Sequence, residues 1–267
     1  MPDASPEDAT ASVLVQVRDG VATITLNRPD ALNAMDEDLT ARLMAALERV
    51  RDEEAIRCAV ITGAGRAFCA GADLRRRAAN QSEGRGPTPF PVTPPPLYHS
   101  FDTQKPMIAA VNGHCLGAGL ELALTCDFRL ASTLATFGMP EITLGFFPGG
   151  GAPLRLPRAI PLGAAMEILL TGDRIDAQAA REYGLVNRVL QPEELLPEAQ
   201  RIATRIASHA PLAVRGLREV VMQGLEMPLP QALRWGGAMR WAIGQTEDAK
   251  EGPRAFAEKR PPEFTGR

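Results

Sequence analysis

The N-terminal part of the chain alternates apolar and polar residues, which is the pattern of a strand with one buried face. Valine or threonine occupies every second position of 13–17 and of 21–25, on either side of Asp19-Gly20. Asp-Gly is a strong turn signal between two such runs. Residues 13–26 are therefore predicted to form a β-hairpin.

A helical period follows this hairpin, over about residues 36–52. Acidic residues at 36–38 suit the positive N-terminal end of a helix. Spacings of three and four residues place apolar side chains on one face. That face would consist of Leu39, Leu43, Met44, Leu47 and Val50.

Two mainly apolar runs predict buried strands at residues 58–62 and 107–111, and a third strand is predicted at 128–131. Glycine-rich turns follow the first two runs, and a short helix is expected from about Gly117 to Leu124. The repeated order of strand, turn and helix is typical of an α/β core.

The second half of the chain has a different pattern of apolar and polar residues. After about residue 160 the pattern becomes helical, with a helix beginning at Pro192 and others over 211–224 and 229–244. The expected stripe of the first is Leu195, Ala199, Ile202 and Ile206. We predict a core region of residues 1–200 and a helical region of 201–267 that packs on a neighbouring subunit. The Pro-rich segment 78–96 is expected to be either a surface loop or a lid over the substrate.

The amino-acid composition and net charge disfavour several classes of function for this chain. The net charge of −3 over 267 residues gives no general attraction to nucleic acid or anionic membranes. The four cysteines form no CxxC pair and suggest reduced thiols, and the three histidines are scattered, so no metal site is expected. A polar, acidic N-terminus and the lack of a long apolar stretch predict a soluble cytoplasmic protein.

Several common catalytic motifs are incomplete or absent in this sequence. A dinucleotide fingerprint at Gly63 would need a third glycine where Phe68 stands, and one at Gly117 would need glycine where Leu122 stands. No Gly-Lys-Ser/Thr phosphate loop and no Gly-x-Ser-x-Gly elbow is present. Nicotinamide, nucleotide and serine-hydrolase chemistry are therefore disfavoured.

Two glycine-rich segments, 68–74 and 112–121, place small residues where a strand gives way to a helix. Small side chains let a ligand approach the backbone, and free N–H groups at a helix start favour negative charge. Two such groups aimed at one point would form an oxyanion hole. Two tight turns without a ligand are the alternative.

Two glutamates stand out beside these segments. Glu121 lies in an apolar helix start, where burial would raise its pKa toward the range useful for proton transfer. A solvated first-turn glutamate is the alternative. Glu141 follows Pro140 and could be an ordinary surface residue. Two carboxylates near an oxyanion hole suggest proton transfer around an enolate.

Long motifs in these regions resemble the enoyl-CoA hydratase/isomerase (crotonase) superfamily. They cover residues 26–35 (LNRPDALNAM), 61–74 (ITGAGRAFCAGADL), 110–122 (AVNGHCLGAGLEL), 137–141 (FGMPE), 246–252 and 255–260. The resemblance implies a spiral of ββα units with a C-terminal helical region for trimerisation. It also implies a homotrimer or a dimer of trimers.

The same resemblance assigns roles to individual residues. The thioester oxygen would lie between the N–H groups of Ala72 and Ala118. Hydratases of this family use two glutamates, which match Glu121 and Glu141, whereas isomerases usually keep only the second. The expected activity is reversible addition of water to a 2-enoyl-CoA, as in fatty acid metabolism. No cofactor is expected beyond the coenzyme A of the substrate.

By the same analogy, coenzyme A would contact Ala31, Ala70, Asp73 and Leu74, with Arg28 and Arg75 as weaker candidates for the phosphates. Phe256 and Lys259 would reach the nucleotide end from a neighbouring subunit. Residues 149–155 (GGGAPLR) depart from the usual hydratase run and should border the acyl group.

Alternatives remain open at this point. The stretch from Leu154 onward also resembles carnitinyl-CoA dehydratases, which carry the same glutamate pair. A double-bond isomerase on the same fold is a second alternative. A third is a family member that binds coenzyme A or RNA with little catalytic role, although the acidic net charge disfavours RNA.

Overall fold

Two mainly parallel β-sheets organise the molecule, seen in a computed structural model that describes residues 10–74 and 101–267. The larger sheet has the order β1-β2-β3-β5-β7-β10, and the smaller has the order β4-β6-β8-β9. The strands are β1 (Val13–Arg18), β2 (Val21–Leu26), β3 (Cys58–Gly63), β4 (Ala67–Cys69), β5 (Met107–Val111), β6 (His114–Leu116), β7 (Phe128–Ser132), β8 (Thr136–Gly138), β9 (Arg174–Asp176) and β10 (Arg188–Leu190).

The predicted hairpin is confirmed as β1 and β2, which pair antiparallel from Val13 opposite Leu26. Asp19 and Gly20 connect them with φ values of 50° and 75°. Left-handed backbone at both turn residues matches the right-handed twist of the strands, which explains the preference for Asp-Gly.

A strand of the larger sheet is followed by a short strand of the smaller sheet three times, as β3–β4, β5–β6 and β7–β8. Strands β3 and β5 are buried along almost their whole length, as their continuous apolar sequence predicts. The α/β core is thus confirmed. The short strands were not predicted, and β9 and β10 correct the expectation that the chain is helical beyond residue 160.

Helices cover the sheets and continue to the C-terminus. They are α1 (Glu37–Asp52), α2 (Ala118–Ala123), α3 (Ala152–Ala159), α4 (Leu162–Thr171), α5 (Ala177–Glu182), α6 (Pro192–Ala207), α7 (Pro211–Gly224), α8 (Leu229–Ile243) and α9 (Glu247–Glu258). Helix α1 begins as predicted, because the Asp36 side chain accepts a hydrogen bond from the Leu39 N–H. Its buried face includes Leu39, Leu43, Leu47 and Val50.

Helix α6 packs on the larger sheet through Leu195, Ala199, Ala203 and Ala207. The predicted stripe is half correct, since Ile202 and Ile206 lie beside this buried line and are only partly covered. The continuous helix crosses residue 200, so the division between 1–200 and 201–267 would fall inside one element. That division stays a prediction.

Helices α7 and α8 pack against each other, and Gly216 lets the side chain of Ile243 approach. None of the helices in the described part of the chain is both long and apolar enough to span a membrane. The segment 78–96 and Arg75, a candidate contact of the coenzyme A phosphates, lie outside the described residues.

Candidate active site

The first glycine-rich segment presents the amide of Ala72. Met35 and Ala72 form a parallel bridge, in which the Met35 N–H donates to Gly71 O at 2.8 Å and the Asp73 N–H donates to Met35 O at 2.9 Å. In such a bridge the intervening residue points its own N–H the other way. The Ala72 N–H therefore faces away from Met35, and Ala72 itself is exposed.

The second segment presents the amide of Ala118. Gly117 adopts φ 51° and ψ −123°, a conformation that favours glycine, and its N–H donates to Gly138 O at 3.0 Å. Ala118 is the first residue of α2, so its N–H has no acceptor within the helix. Within residues 10–74 and 101–267, neither the Ala72 N–H nor the Ala118 N–H donates a backbone hydrogen bond.

The two segments lie against each other because glycines let them. A Cβ on Gly71 would lie 3.3 Å from Leu116 O and 3.9 Å from Ala118 N, and one on Gly119 would collide with Cys69 O. Gly71 precedes Ala72 directly, so the two candidate oxyanion amides are neighbours. Their proximity supports the predicted oxyanion hole, whose ligand would be a thioester oxygen.

Glu121 lies in α2 and is only 4% exposed. Its Oε1 accepts hydrogen bonds from the Gly150 N–H at 2.6 Å and the Ala152 N–H at 3.3 Å. The prediction that this carboxylate is buried, and not a solvated first-turn residue, is confirmed.

Glu141 lies in a 3-10 helix, Pro140–Leu144, and is partly buried. Its carboxylate abuts Gly117, where a Cβ would lie 2.5 Å from Oε1. The Glu141 Oε2 atom is buried and has no hydrogen-bond partner among the described residues. An unpartnered buried oxygen is costly, which makes it a candidate contact for substrate or water.

Burial raises the pKa of both carboxyl groups, but different neighbours act on each. For Glu121, the Ala152 and Gly150 N–H groups and the Arg155 charge lower the pKa and partly offset burial. For Glu141, its own backbone N–H lowers the pKa, whereas the negative charge of Glu121 raises it further. The two carboxylates thus interact, and Glu141 has the weaker stabilisation of its charged form.

The predicted phosphate ligand Arg28 is engaged within the chain. Its guanidinium pairs with Asp36 at 3.2 Å and with Asp73 at 3.3 Å, and it donates to Ala34 O at 2.5 Å. Asp73, also predicted to contact coenzyme A, shares this pairing. Both assignments stay predictions.

The other predicted coenzyme A contacts lie near the same turn or far along the chain. Ala31 ends the 3-10 helix Pro29–Ala31, and the Ala70 N–H donates to Leu32 O at 3.0 Å. Leu74 is 43% exposed at the edge of the described residues. Phe256 on α9 is 87% exposed, and Lys259 ends that helix in the left-handed conformation.

Sequence reasoning missed the partners of Glu121. The Gly150 and Ala152 N–H groups donate to Glu121, a contact that was not predicted. That residues 149–155 border the acyl group stays a prediction. A Cβ on Gly150 would collide with the Glu121 carboxylate, which explains a glycine there. A glycine run just before a helix is the signal that could have indicated this contact, since helix N-termini attract carboxylates.

The cysteines and potential metal ligands do not add to this site. Cys58, Cys69, Cys115 and Cys126 are free and buried, and burial raises the pKa of the Cys69 thiol to about 12. In the part of the chain that the structure describes, no group of three or more His, Cys, Asp or Glu side chains could hold a metal.

Two neighbouring N–H groups lie beside a pair of interacting carboxylates, an arrangement that can bind a negatively charged oxygen and transfer protons next to it. The family model described as enoyl-CoA hydratase/isomerase matches residues 16–267. The chain therefore belongs to the enoyl-CoA hydratase/isomerase family.

Curated relatives resemble the chain over nearly their full length. An (E)-benzylidenesuccinyl-CoA hydratase from Thauera aromatica is 42% identical over 95% of this chain and 99% of its own. A carnitinyl-CoA dehydratase from Proteus mirabilis (strain HI4320) is 40% identical over 96% and 99%. The predicted likeness to both hydratases and carnitinyl-CoA dehydratases is confirmed.

The fold also matches solved structures. The crystal structure of enoyl-CoA hydratase from Mycobacterium tuberculosis H37Rv has a TM-score of 0.89 at 36% identity, covering 96% of this chain and 100% of that one. The predicted crotonase-like spiral of ββα units, continued by C-terminal helices, is confirmed.

Proposed function

We propose that this protein is a carbon–oxygen lyase that adds water reversibly to a 2-enoyl-CoA, giving a 3-hydroxyacyl-CoA. The observation that carries the proposal is the contrast between its two buried carboxyl groups. Glu121 accepts two backbone hydrogen bonds, while Glu141 has a buried oxygen without a partner. A base and an acid in one site need such different surroundings.

The thioester oxygen would accept hydrogen bonds from Ala72 and Ala118, which stabilise the negative charge of the enolate. Ionised Glu121 takes a proton from water as the oxygen bonds to Cβ, and protonated Glu141 donates a proton to Cα. The proton gained by Glu121 must return to Glu141, directly or through solvent, before the next turnover. No metal or nicotinamide takes part.

Two carboxylates favour hydration over double-bond migration. Moving a double bond needs only one group that removes a proton and returns it, whereas holding and deprotonating water gives a second carboxylate a purpose. Dehydration of a 3-hydroxyacyl-CoA, as in a carnitinyl-CoA dehydratase, uses the same site in the reverse direction.

We also propose that the protein assembles with copies of itself, as a trimer or a dimer of trimers. Helices α7 and α8 expose large apolar side chains, an unusual surface for a monomer. These are Leu217, Val221, Leu229, Leu233 and Trp241, and Leu225 directly after α7 is exposed as well. Light scattering coupled to size exclusion would show a multiple of three chains, and a monomer at micromolar concentration would contradict this.

A panel of thioesters tests the reaction. Purified protein should hydrate crotonyl-CoA, crotonobetainyl-CoA or a longer or substituted 2-enoyl-CoA without added metal or nicotinamide. Product analysis by chromatography and mass spectrometry separates a gain of water from a shifted double bond. Isomer without hydrate across the panel would contradict the proposal.

The buried free cysteines fit a reducing compartment such as the cytoplasm.

A further inference from the structure

The loop that contains Gly150 contacts two side chains of opposite charge, Glu121 and Arg155. The Gly150 N–H donates to Glu121 Oε1 at 2.6 Å, and the Gly150 C=O accepts a hydrogen bond from Arg155 Nη1 at 3.0 Å. The residue that holds the carboxylate is therefore itself held by a guanidinium. Arg155 comes from the first turns of α3, whose start also supplies the Ala152 N–H.

The glycines of this loop make room for both contacts. A Cβ on Gly150 would collide with the Glu121 carboxylate, and a Cβ on Gly151 would collide with Arg155 Nη1. Gly151 also has φ 99°, which side chains other than glycine rarely adopt. Gly149, in contrast, has open space around it. The two restricted glycines are those that face Glu121 and Arg155.

The charges of Arg155 and Glu121 also change each other's pKa. Arg155 is partly buried, and its positive charge lowers the pKa of Glu121 against the effect of burial. Glu121 in turn raises the pKa of Arg155, although burial lowers it more. Among the described residues, Arg155 from α3 is the charged group that lowers the pKa of Glu121, while Glu121 itself raises the pKa of Glu141 on the 3-10 helix.

We propose that Arg155 is a positioning residue for hydration: by binding the Gly150 carbonyl it fixes the backbone on both sides of the Gly150 Cα, and the Gly150 N–H in turn holds the Glu121 carboxylate toward the attacking water. This inference rests on the proposed function. Arg155 need not touch substrate, because its contact with the Gly150 carbonyl acts through the loop. A small displacement of a reacting group can cost a large part of the rate.

Arg155→Met, Arg155→Lys and the control Arg158→Met test this role. Arg158 lies one turn on in α3, is exposed, and donates to Leu154 O, away from the loop. We expect Arg155→Met to lower kcat roughly tenfold to a hundredfold with little change in KM. Arg155→Lys, which keeps the charge, should lose less and serves if the methionine variant folds poorly. Arg158→Met should match the parent protein.

The pH profile and a double variant provide readouts that a merely structural role would not move. Without the cation, the pKa of Glu121 rises, so the loss of kcat at acid pH should begin at a higher pH. In a Glu121→Gln background, Arg155→Met should cost little more, because the two residues act as a unit. Equal losses in both backgrounds, or an unchanged kcat and pH profile, would overturn the proposal.

Carbon-13 NMR titration of labelled glutamate separates this inference from the proposed function. The Glu121 carboxyl, assigned with Glu121→Gln, should titrate at higher pH in Arg155→Met and unchanged in Arg158→Met. That shift in a protein without hydratase activity would refute the function but leave the contact intact. A Glu121 titration insensitive to Arg155→Met would refute the positioning role.

Discussion

The two carboxylate regions of the site are built in opposite ways. Glu121 sits in an α-helix, is almost fully buried, and is held by two backbone N–H groups. Glu141 sits in a short 3-10 helix, is less buried, and keeps an oxygen without a partner. Hydrogen bonds to a carboxylate favour its ionised form, so the partners of Glu121 oppose the effect of burial on its pKa more than those of Glu141 do.

Replacing each glutamate should have the largest effect on activity. Glu121→Gln would remove the proposed base and Glu141→Gln the proposed acid, so each should lower kcat roughly 10²–10⁴-fold. Glu167→Gln, at an exposed position of α4, is the matched control and should keep full activity. Steady-state kinetics with an accepted enoyl-CoA measures this, and full activity in either site variant would refute the assigned roles.

Adding one methyl group to a glycine disturbs each carboxylate without removing it. Gly150→Ala would push into Glu121, and Gly117→Ala would push into Glu141 at a position with positive φ. We expect kcat to fall roughly a hundredfold in each, because the reacting groups are displaced. Gly149→Ala, which meets open space, should have a much smaller effect. Equal losses at 149 and 150 would contradict the contact with Glu121.

The pH dependence of kcat tests the assignment of base and acid. The proposed mechanism needs Glu121 ionised and Glu141 protonated, so activity should fall both at acid and at alkaline pH. Because burial raises both pKa values, each limb should lie above the usual range of a free glutamate. Residual activity in Glu141→Gln should lack the alkaline limb. A profile in which that limb persists would assign it to another group.

The glutamate-to-glutamine substitutions that lower activity should raise thermal stability. A raised carboxyl pKa means that the folded state binds protons more tightly than the unfolded chain. The favourable contribution is present below the unfolded pKa and is lost as the pH rises through the folded pKa. Glu141→Gln should therefore raise the melting temperature at neutral pH more than Glu121→Gln, since Glu121 has compensating partners. Calorimetry at pH 5 should show smaller differences.

The smallest effect is expected furthest from the two carboxylates. If Phe256 and Lys259 contact coenzyme A across a subunit interface, Phe256→Ala and Lys259→Ala should raise KM about fivefold or less and leave kcat unchanged. Lys250→Ala, exposed on the same helix and paired with Glu247, is a suitable control. An unchanged KM in both variants would remove these residues from the binding site.

Local sequence pattern predicted the elements that are long enough to carry a period. The Asp19-Gly20 hairpin, the acidic start and apolar face of α1, and the apolar strands β3 and β5 all follow from it. Glu121 could be singled out because a glutamate among leucines must be explained when it is buried. These features depend on neighbours a few residues apart.

The short strands and the partners of the two glutamates depend on contacts between residues that are far apart in the sequence, so local pattern could not predict them. Strands β4, β6 and β8 have three residues each, too few to show a period, and exist because consecutive turns of the spiral pair with one another. Glu121 meets Gly150 across 29 residues of sequence. Glu121 and Glu141 could thus be chosen as candidates from local pattern and family resemblance. Their different surroundings, on which our assignment of base and acid rests, come from the packing of segments that are distant in the sequence.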